Sequence, residues 1–198
     1  MIHSSMIRSY LSYARNRTGI ETQRLRLSLA RSPSVLDASP PDGTASTDPN
    51  VLFLCYGNIC RSPLAERYFE AVAEERGIDG ISADSAGLRT TAGRTSPDDA
   101  VRVAGELGVD LSDHRSKPVT AELLEWSDLV FVMDLLNYHD LRRGFGDLDE
   151  KTRFLGVFSG EGYEISDPYG EGLDGFRTLY GDVIESVNGF VETLEFER

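Results

Sequence analysis

Cysteine is scarce in this sequence, with two residues among 198. Two cannot build a disulfide scaffold, and by themselves they cannot supply a four-cysteine zinc site. Long apolar runs are missing as well. No window approaches the roughly 18 consecutive apolar residues of a membrane span. Basic residues are few, 20 against 33 acidic ones for a net charge of −13. That balance argues against a general binder of phosphate backbones, and so against a nucleic-acid partner. Lysine is nearly absent, with only Lys117 and Lys151. Acid excess with Arg in place of Lys fits a protein solvated at high salt, where screening removes self-repulsion. An acidic enzyme from an ordinary cytoplasm has the same balance, and composition leaves both open.

The charge is uneven. Residues 1–48 hold six Arg and four acids, whereas residues 49–198 hold 14 basic and 29 acidic residues, a net −15. The head lacks a structural period, and Ser32 to Pro49 runs through Pro, Asp, Gly, Ser and Thr. Such a stretch buries too little apolar surface to offset its ordering entropy. Residues 1–48 are therefore expected to be a disordered extension whose removal leaves fold and activity intact. Its Arg- and Ser-rich, acid-poor start also fits an organelle transit peptide or a misplaced start codon.

Residues 49–198 read as one domain of alternating strands and helices. Val51–Leu54 is a short apolar run suited to a buried parallel strand. Ser62-Pro63 is expected to open a helix as N-cap and first-turn proline, with Gly77 closing it and Leu64, Tyr68, Ala71 and Val72 on one face. A second strand is expected over about residues 81–85. Ser96-Pro97 is expected to open a helix that ends at Gly108, with Val101, Ala104 and Leu107 inward. A short helical turn over 120–126 precedes a strand over 129–133, and a fourth strand is expected over 153–158. The last helix, about 174–194, carries Phe176, Leu179, Tyr180, Val183, Val187, Phe190, Val191 and Leu194 on one face. Strands separated by helices imply an α/β fold whose parallel sheet is covered on both faces.

The chemistry-bearing stretch is Val51-Leu-Phe-Leu-Cys55-Tyr-Gly-Asn-Ile-Cys60-Arg61-Ser62-Pro63. Cys55 falls where the first strand ends, and Arg61 where the first helix begins. Ligands of open α/β sheets bind beyond the carboxyl ends of strands. A loop that wraps into a helix N-terminus turns successive backbone N–H groups inward and makes an anion cradle. Gly57 allows close approach, and Asn58 tolerates a left-handed conformation. The Arg61 fork matches two phosphate oxygens. That positive field favours the thiolate of Cys55, the nucleophilic form. A Cys packed as a small core hydrophobe needs none of this loop.

At these residues the chain resembles the low-molecular-weight protein tyrosine phosphatases, whose signature is a Cys, five residues, then Arg-Ser directly after the first strand. The resemblance extends in order through Asp84-Ser85-Ala86-Gly87, Asp113-His114-Arg115, Thr120, Met133-Asp134 with Asn137, and Asp167-Pro168-Tyr169. It implies a flavodoxin-like three-layer sandwich with a four-stranded parallel sheet in the order 2-1-3-4. It implies that Cys55 attacks phosphorus while Arg61 and the amides of Tyr56, Gly57, Asn58, Ile59, Cys60 and Ser62 hold the oxygens. Ser62 donates to the thiolate, and Asn58, Ser85 and His114 brace the loop. Asp167 serves as general acid and then base, Tyr169 lines the pocket wall, and Cys60 is the redox partner of Cys55. No cofactor or metal is implied, and His3 and His139 stand outside any ligand pattern. The partner implied is a phosphorylated protein or small aryl phosphate; a cytoplasmic location is expected, and a monomer is favoured although the sequence leaves the oligomeric state open.

Two departures bear on substrate. Tyrosine-specific members carry an aromatic residue in the loop after Ser85, which here reads Leu88-Arg-Thr-Thr-Ala-Gly-Arg94. The segment from Tyr169-Gly170 to Phe176-Arg177 is closer to bacterial members that include phosphoarginine phosphatases. Those have Thr where this chain has Ile59, and the apolar Ile59 favours a phosphotyrosine-type substrate. Arsenate reduction on the same fold needs a thiol relay, and with Cys55 and Cys60 alone it would need a thiol cofactor. A module that only binds phosphate would require neither Cys55 nor Asp167.

Overall fold

A computed structural model of the chain describes residues 19–25, 27, 34–39 and 49–196. Expectations for residues 1–18, including His3, lie outside the described residues. Four parallel strands form one sheet: β1 (Asn50–Cys55), β2 (Ser82–Gly87), β3 (Leu129–Val132) and β4 (Thr152–Phe154), in the order β2-β1-β3-β4. Cys55 pairs with Gly87, and Leu54 with Val132, so the carboxyl ends of the three longest strands lie side by side. The helices are α1 (Arg61–Glu75), α2 (Asp98–Glu106), α3 (Ala121–Trp126), α4 (Leu135–Phe145) and α5 (Gly172–Phe196).

Strand side chains alternate between two buried clusters, as a period of two requires when both faces are covered. Val51, Phe53 and Phe131 join α1, α2 and α5 on one face. Leu52, Leu54, Val130 and Val132 meet Leu124 of α3 and Leu135, Tyr138 and Leu141 of α4 on the other. The expected three-layer α/β sandwich is present.

Leu27 and Val35 also belong to the second cluster, 6% and 1% exposed. Residues 19–25 and 27 are helical, and Ser34–Leu36 is a 3-10 turn. Polar contacts accompany the packing: Arg24 Nη2 lies 3.3 Å from Glu164, and Arg153 Nε donates to the Ser39 carbonyl at 3.3 Å. This part of the head packs on the domain, which the sequence reading leaves outside the fold.

Several local expectations need correction. Cys60, not Ser62, is the N-cap of α1, and no side chain caps that end. Ser62 is the second helical residue, fully buried, and its hydroxyl turns toward the cradle. Its N-cap pattern is overridden because its hydroxyl is committed to Cys55 and Asn58. The buried face of α1 is Leu64, Ala65, Phe69, Val72 and Ala73, while Ala71 is exposed. On α2, Ala100, Val103 and Ala104 are buried and Leu107, beyond the last turn, is 39% exposed. Ser96 caps nothing, since Pro97 is the N-cap and Asp98 and Asp99 meet the helix dipole. The fourth strand stops at Phe154 and continues as the 3-10 turn Leu155–Ser159. A Cβ on Gly156 would stand 2.8 Å from the Tyr163 backbone, a crossing that a continued strand would not allow. Helix α4 is an element the sequence reading omits. Gly77 does end α1, at φ 64°, and the Ile78 N–H closes the turn onto Ala73.

Candidate active site

The loop from β1 into α1 forms the floor of a cleft of about 350 Å³ lined by Cys55, Tyr56, Gly57, Ile59, Cys60, Arg61, Arg94, Asp167 and Tyr169. It lies beyond the carboxyl end of β1, between the oppositely running crossovers to β2 and β3. That is where an open α/β sheet leaves room for a ligand.

Asn58 is the hub of the floor. At φ 51° it is the one non-glycine residue with positive φ among the described residues. Its backbone N–H donates to Cys55 Sγ at 3.2 Å, and its carbonyl accepts from His114 Nε2 at 2.7 Å. Its side-chain Nδ2 donates to Ser62 Oγ at 3.0 Å and Ser85 Oγ at 2.8 Å, while Oδ1 accepts from the Lys117 N–H at 2.9 Å. These bonds hold a conformation that costs about 1–3 kcal/mol when left unsupported. Gly87 completes the fit. A Cβ there would stand 3.1 Å from the Asn58 nitrogen and 2.7 Å from Thr90.

The network fixes proton directions. Ser85 Oγ accepts from Asn58 and donates to Glu66 at 2.5 Å. Ser62 Oγ likewise accepts from Asn58, so its own proton is left for Cys55 Sγ, 3.1 Å away. Because a carbonyl only accepts, His114 carries its proton on Nε2. Burial pushes the His114 pKa down, which keeps the ring neutral. Burial pushes the Glu66 carboxyl up, opposed by its bond from Ser85. Cys60 is pushed well up by burial and by the charge of Cys55, so it stays a neutral thiol.

Arg61 is 1% exposed. Burial opposes its charge, but Asp134, Cys55 and Asp167 outweigh that and hold the guanidinium ionised. Nη1 meets Asp134 at 2.6 Å and the Ile165 carbonyl at 2.8 Å, and Nη2 meets Asp167 at 2.6 Å. Nε has no partner among the described residues, which leaves one donor of a cleft-lining guanidinium for an anion. Asp167 sits on the loop before α5 with its side chain 43% exposed, and its other oxygen accepts from the Tyr169 N–H at 3.1 Å.

Every sequence-predicted residue reaches the cleft or the network beneath it. Cys55, Tyr56, Gly57, Ile59, Cys60, Arg61, Asp167 and Tyr169 line the cleft, and Asn58, Ser62, Ser85 and His114 brace it. Asp134 and Glu66 are braces the sequence reading did not assign. Arg94 is a cleft residue it also left unassigned, although it marked the surrounding loop for lacking an aromatic.

A thiol beside an aligned hydroxyl donor, an anion cradle, a buried guanidinium and a facing carboxylate define a cysteine-dependent phosphomonoester hydrolase on a doubly wound sheet. Residues 50–198 match the family described as low molecular weight phosphotyrosine protein phosphatase, and the chain belongs to it. It is 35% identical over 145 residues to the probable low molecular weight protein-tyrosine-phosphatase AmsI of Erwinia amylovora, covering 73% of this chain and 96% of that protein. It is 29% identical over 150 residues to the protein-arginine-phosphatase of Bacillus subtilis, covering 75% and 99%. The crystal structure of the low molecular weight protein tyrosine phosphatase from T. tengcongensis aligns with TM-score 0.68 at 32% identity, over 73% of this chain and 99% of that one. Among the described residues no helix is long and apolar enough to cross a membrane.

Proposed function

We propose that this phosphatase hydrolyses phosphotyrosine-type monoesters through a phosphocysteine on Cys55. The observation that carries the reading is the proton geometry at Cys55. One sulfur accepts from both the Asn58 N–H and the Ser62 hydroxyl, at the floor of a cleft that also holds Arg61 and Asp167. In the first step Cys55 Sγ bonds to phosphorus, the ester oxygen leaves, and Asp167 gives it a proton. Arg61 and the loop amides hold the three transferring oxygens, where the transition-state charge resides. In the second step Asp167 takes a proton from water, which displaces the thiolate, and the Ser62 hydroxyl stabilises the departing sulfur.

The apolar Ile59 and the side walls Tyr56 and Tyr169 favour an aryl phosphate. Arsenate reduction would require a further thiol, since the chain has only Cys55 and Cys60 and both lie in the cradle. Two unpaired cysteines in the site also suit a reducing compartment, and we place the activity in the cytoplasm, in a monomer.

Substitution at the two reacting groups tests this. Cys55→Ser should abolish turnover of p-nitrophenyl phosphate while vanadate still binds through Arg61 and the amides. Asp167→Asn should slow poor leaving groups by roughly 10²–10⁴-fold and good ones far less. A uniform effect of Asp167→Asn across leaving groups would remove Asp167 as the acid.

A further inference from the structure

We propose that Arg94 binds a second anionic group of the substrate, so that the preferred substrate is a phosphotyrosine with an acidic side chain beside it and phosphoarginine is disfavoured. This rests on the phosphatase reading of the cleft and specifies its substrate.

Arg94 lines the cleft with Cys55 and Arg61, and its Nη1 lies 3.4 Å from where a Cβ on Gly57 would stand. Its charge is uncommitted. Arg61, Arg67, Arg89, Arg102, Arg142 and Arg177 each meet a carboxylate. Among the described residues Arg94 meets none, and its guanidinium hydrogen-bonds to Thr90 Oγ1, at 3.4 Å. In a chain with 33 acidic residues, an arginine left unpaired at the cleft stands out.

The position is built rather than incidental. At one end of the loop the Leu88 N–H donates to the Cys55 carbonyl at 3.0 Å and the Arg89 N–H to the Tyr56 carbonyl at 2.8 Å. The Arg89 side chain grips Asp140 through two bonds, at 2.6 and 2.8 Å. At the other end the Arg94 N–H donates to Ser116 Oγ at 3.0 Å and its carbonyl accepts from the Ser116 N–H at 2.9 Å. Ser116 is 2% exposed and ties the loop again through Thr91. The backbone of Arg94 is thus fixed beside the cradle while its guanidinium stays exposed.

A phosphate seated over Cys55 leaves the rest of its substrate at the mouth, where Arg94 stands. A guanidinium fork pairs with a carboxylate or a second phosphate. A phosphoarginine brings another guanidinium to the same place, and like charges repel.

The test compares kcat/KM on two phosphotyrosine peptides that differ only in Glu or Gln flanking the phosphorylated residue, with p-nitrophenyl phosphate and a phosphoarginine peptide alongside. The full chain should prefer the Glu peptide by about three- to five-fold in dilute buffer, through KM, and lose the preference in molar potassium chloride. Arg94→Gln should bring the ratio near one, and Arg94→Glu should invert it. Arg94→Gln should also raise phosphoarginine turnover relative to phosphotyrosine. Arg102→Gln removes the same charge from α2 and should leave the ratio unmoved. A ratio that is the same in the full chain and Arg94→Gln, or that shifts equally in Arg102→Gln, overturns the proposal. Absence of p-nitrophenyl phosphate turnover in the unsubstituted protein would instead overturn the phosphatase reading.

Discussion

Cys60 shares the cradle with Cys55 and is buried beside it. Burial, and then the charge of Cys55, push the Cys60 thiol far up, so it remains protonated and competes for no anion. Peroxide reacts with thiolates, and with Cys60 held protonated the proposed nucleophile Cys55 should be the one oxidised to the sulfenic acid. The Cys60 sulfur can then attack the sulfenic sulfur, forming a disulfide and releasing water, and dithiothreitol reverses the product. Peroxide should therefore inactivate the enzyme reversibly and Cys60→Ser irreversibly, with inorganic phosphate protecting both. Equal recovery of the two proteins under dithiothreitol would deny Cys60 a protective part.

Helix α4 serves the cleft through its N-cap, Asp134. Asp134 caps it with Oδ1, which accepts from the Asn137 N–H at 2.7 Å, and braces Arg61 with Oδ2. The two duties separate by substitution. Asp134→Asn keeps a capping oxygen and loses the charge at Arg61, whereas Asp134→Ala loses both. Both variants should raise KM, and Asp134→Ala should be less stable than Asp134→Asn by about 1 kcal/mol in urea unfolding. Equal stability of the two would show that the cap contributes nothing. This helix is also where the sequence is hardest to read. Its buried face mixes Leu135, Tyr138 and Leu141 with Asn137 and Asp140, and Asp140 is satisfied by Arg89, 51 residues away. An apolar period cannot anticipate such a pairing. The cradle is legible because strand end, Gly57, Asn58 and Arg61 are local, and the strand order follows once the family pattern is seen. The contacts that position it are not local, as Asp134 lies 73 residues from Arg61 and Arg94 approaches from the next crossover. The misphased faces of α1 and α2 have a similar origin. Short alanine-rich helices offer two neighbouring stripes, and packing against α5 chooses between them.

Over the whole molecule, two forces of different range bear on stability. Residues 49–198 carry 29 acidic against 14 basic residues, and their mutual repulsion falls as salt screens it. Leu27 and Val35, from the head, belong to the same buried cluster as Leu52, Leu54, Val130 and Val132. Burying a side chain of that size stabilises by about 1.5–3 kcal/mol, an upper figure when the unfolded chain is partly collapsed. Deleting residues 1–48 uncovers the part of that cluster the head buries, so the shortened chain should unfold about 3 kcal/mol more easily than the full one. Val35→Asp in the full chain should reproduce part of the loss. Activity at low temperature should survive, because among the described residues no cleft residue lies in the head. Salt distinguishes the two forces. Between dilute buffer and molar potassium chloride both chains should melt at higher temperature as repulsion is screened, yet the gap between them should persist, since apolar burial is not screened. A melting temperature that stays flat or falls with salt would remove the high-salt reading of the composition. A gap that vanished in salt would mean that the head acts through its six arginines, and equal melting temperatures in every buffer would mean that Leu27 and Val35 contribute nothing to the fold.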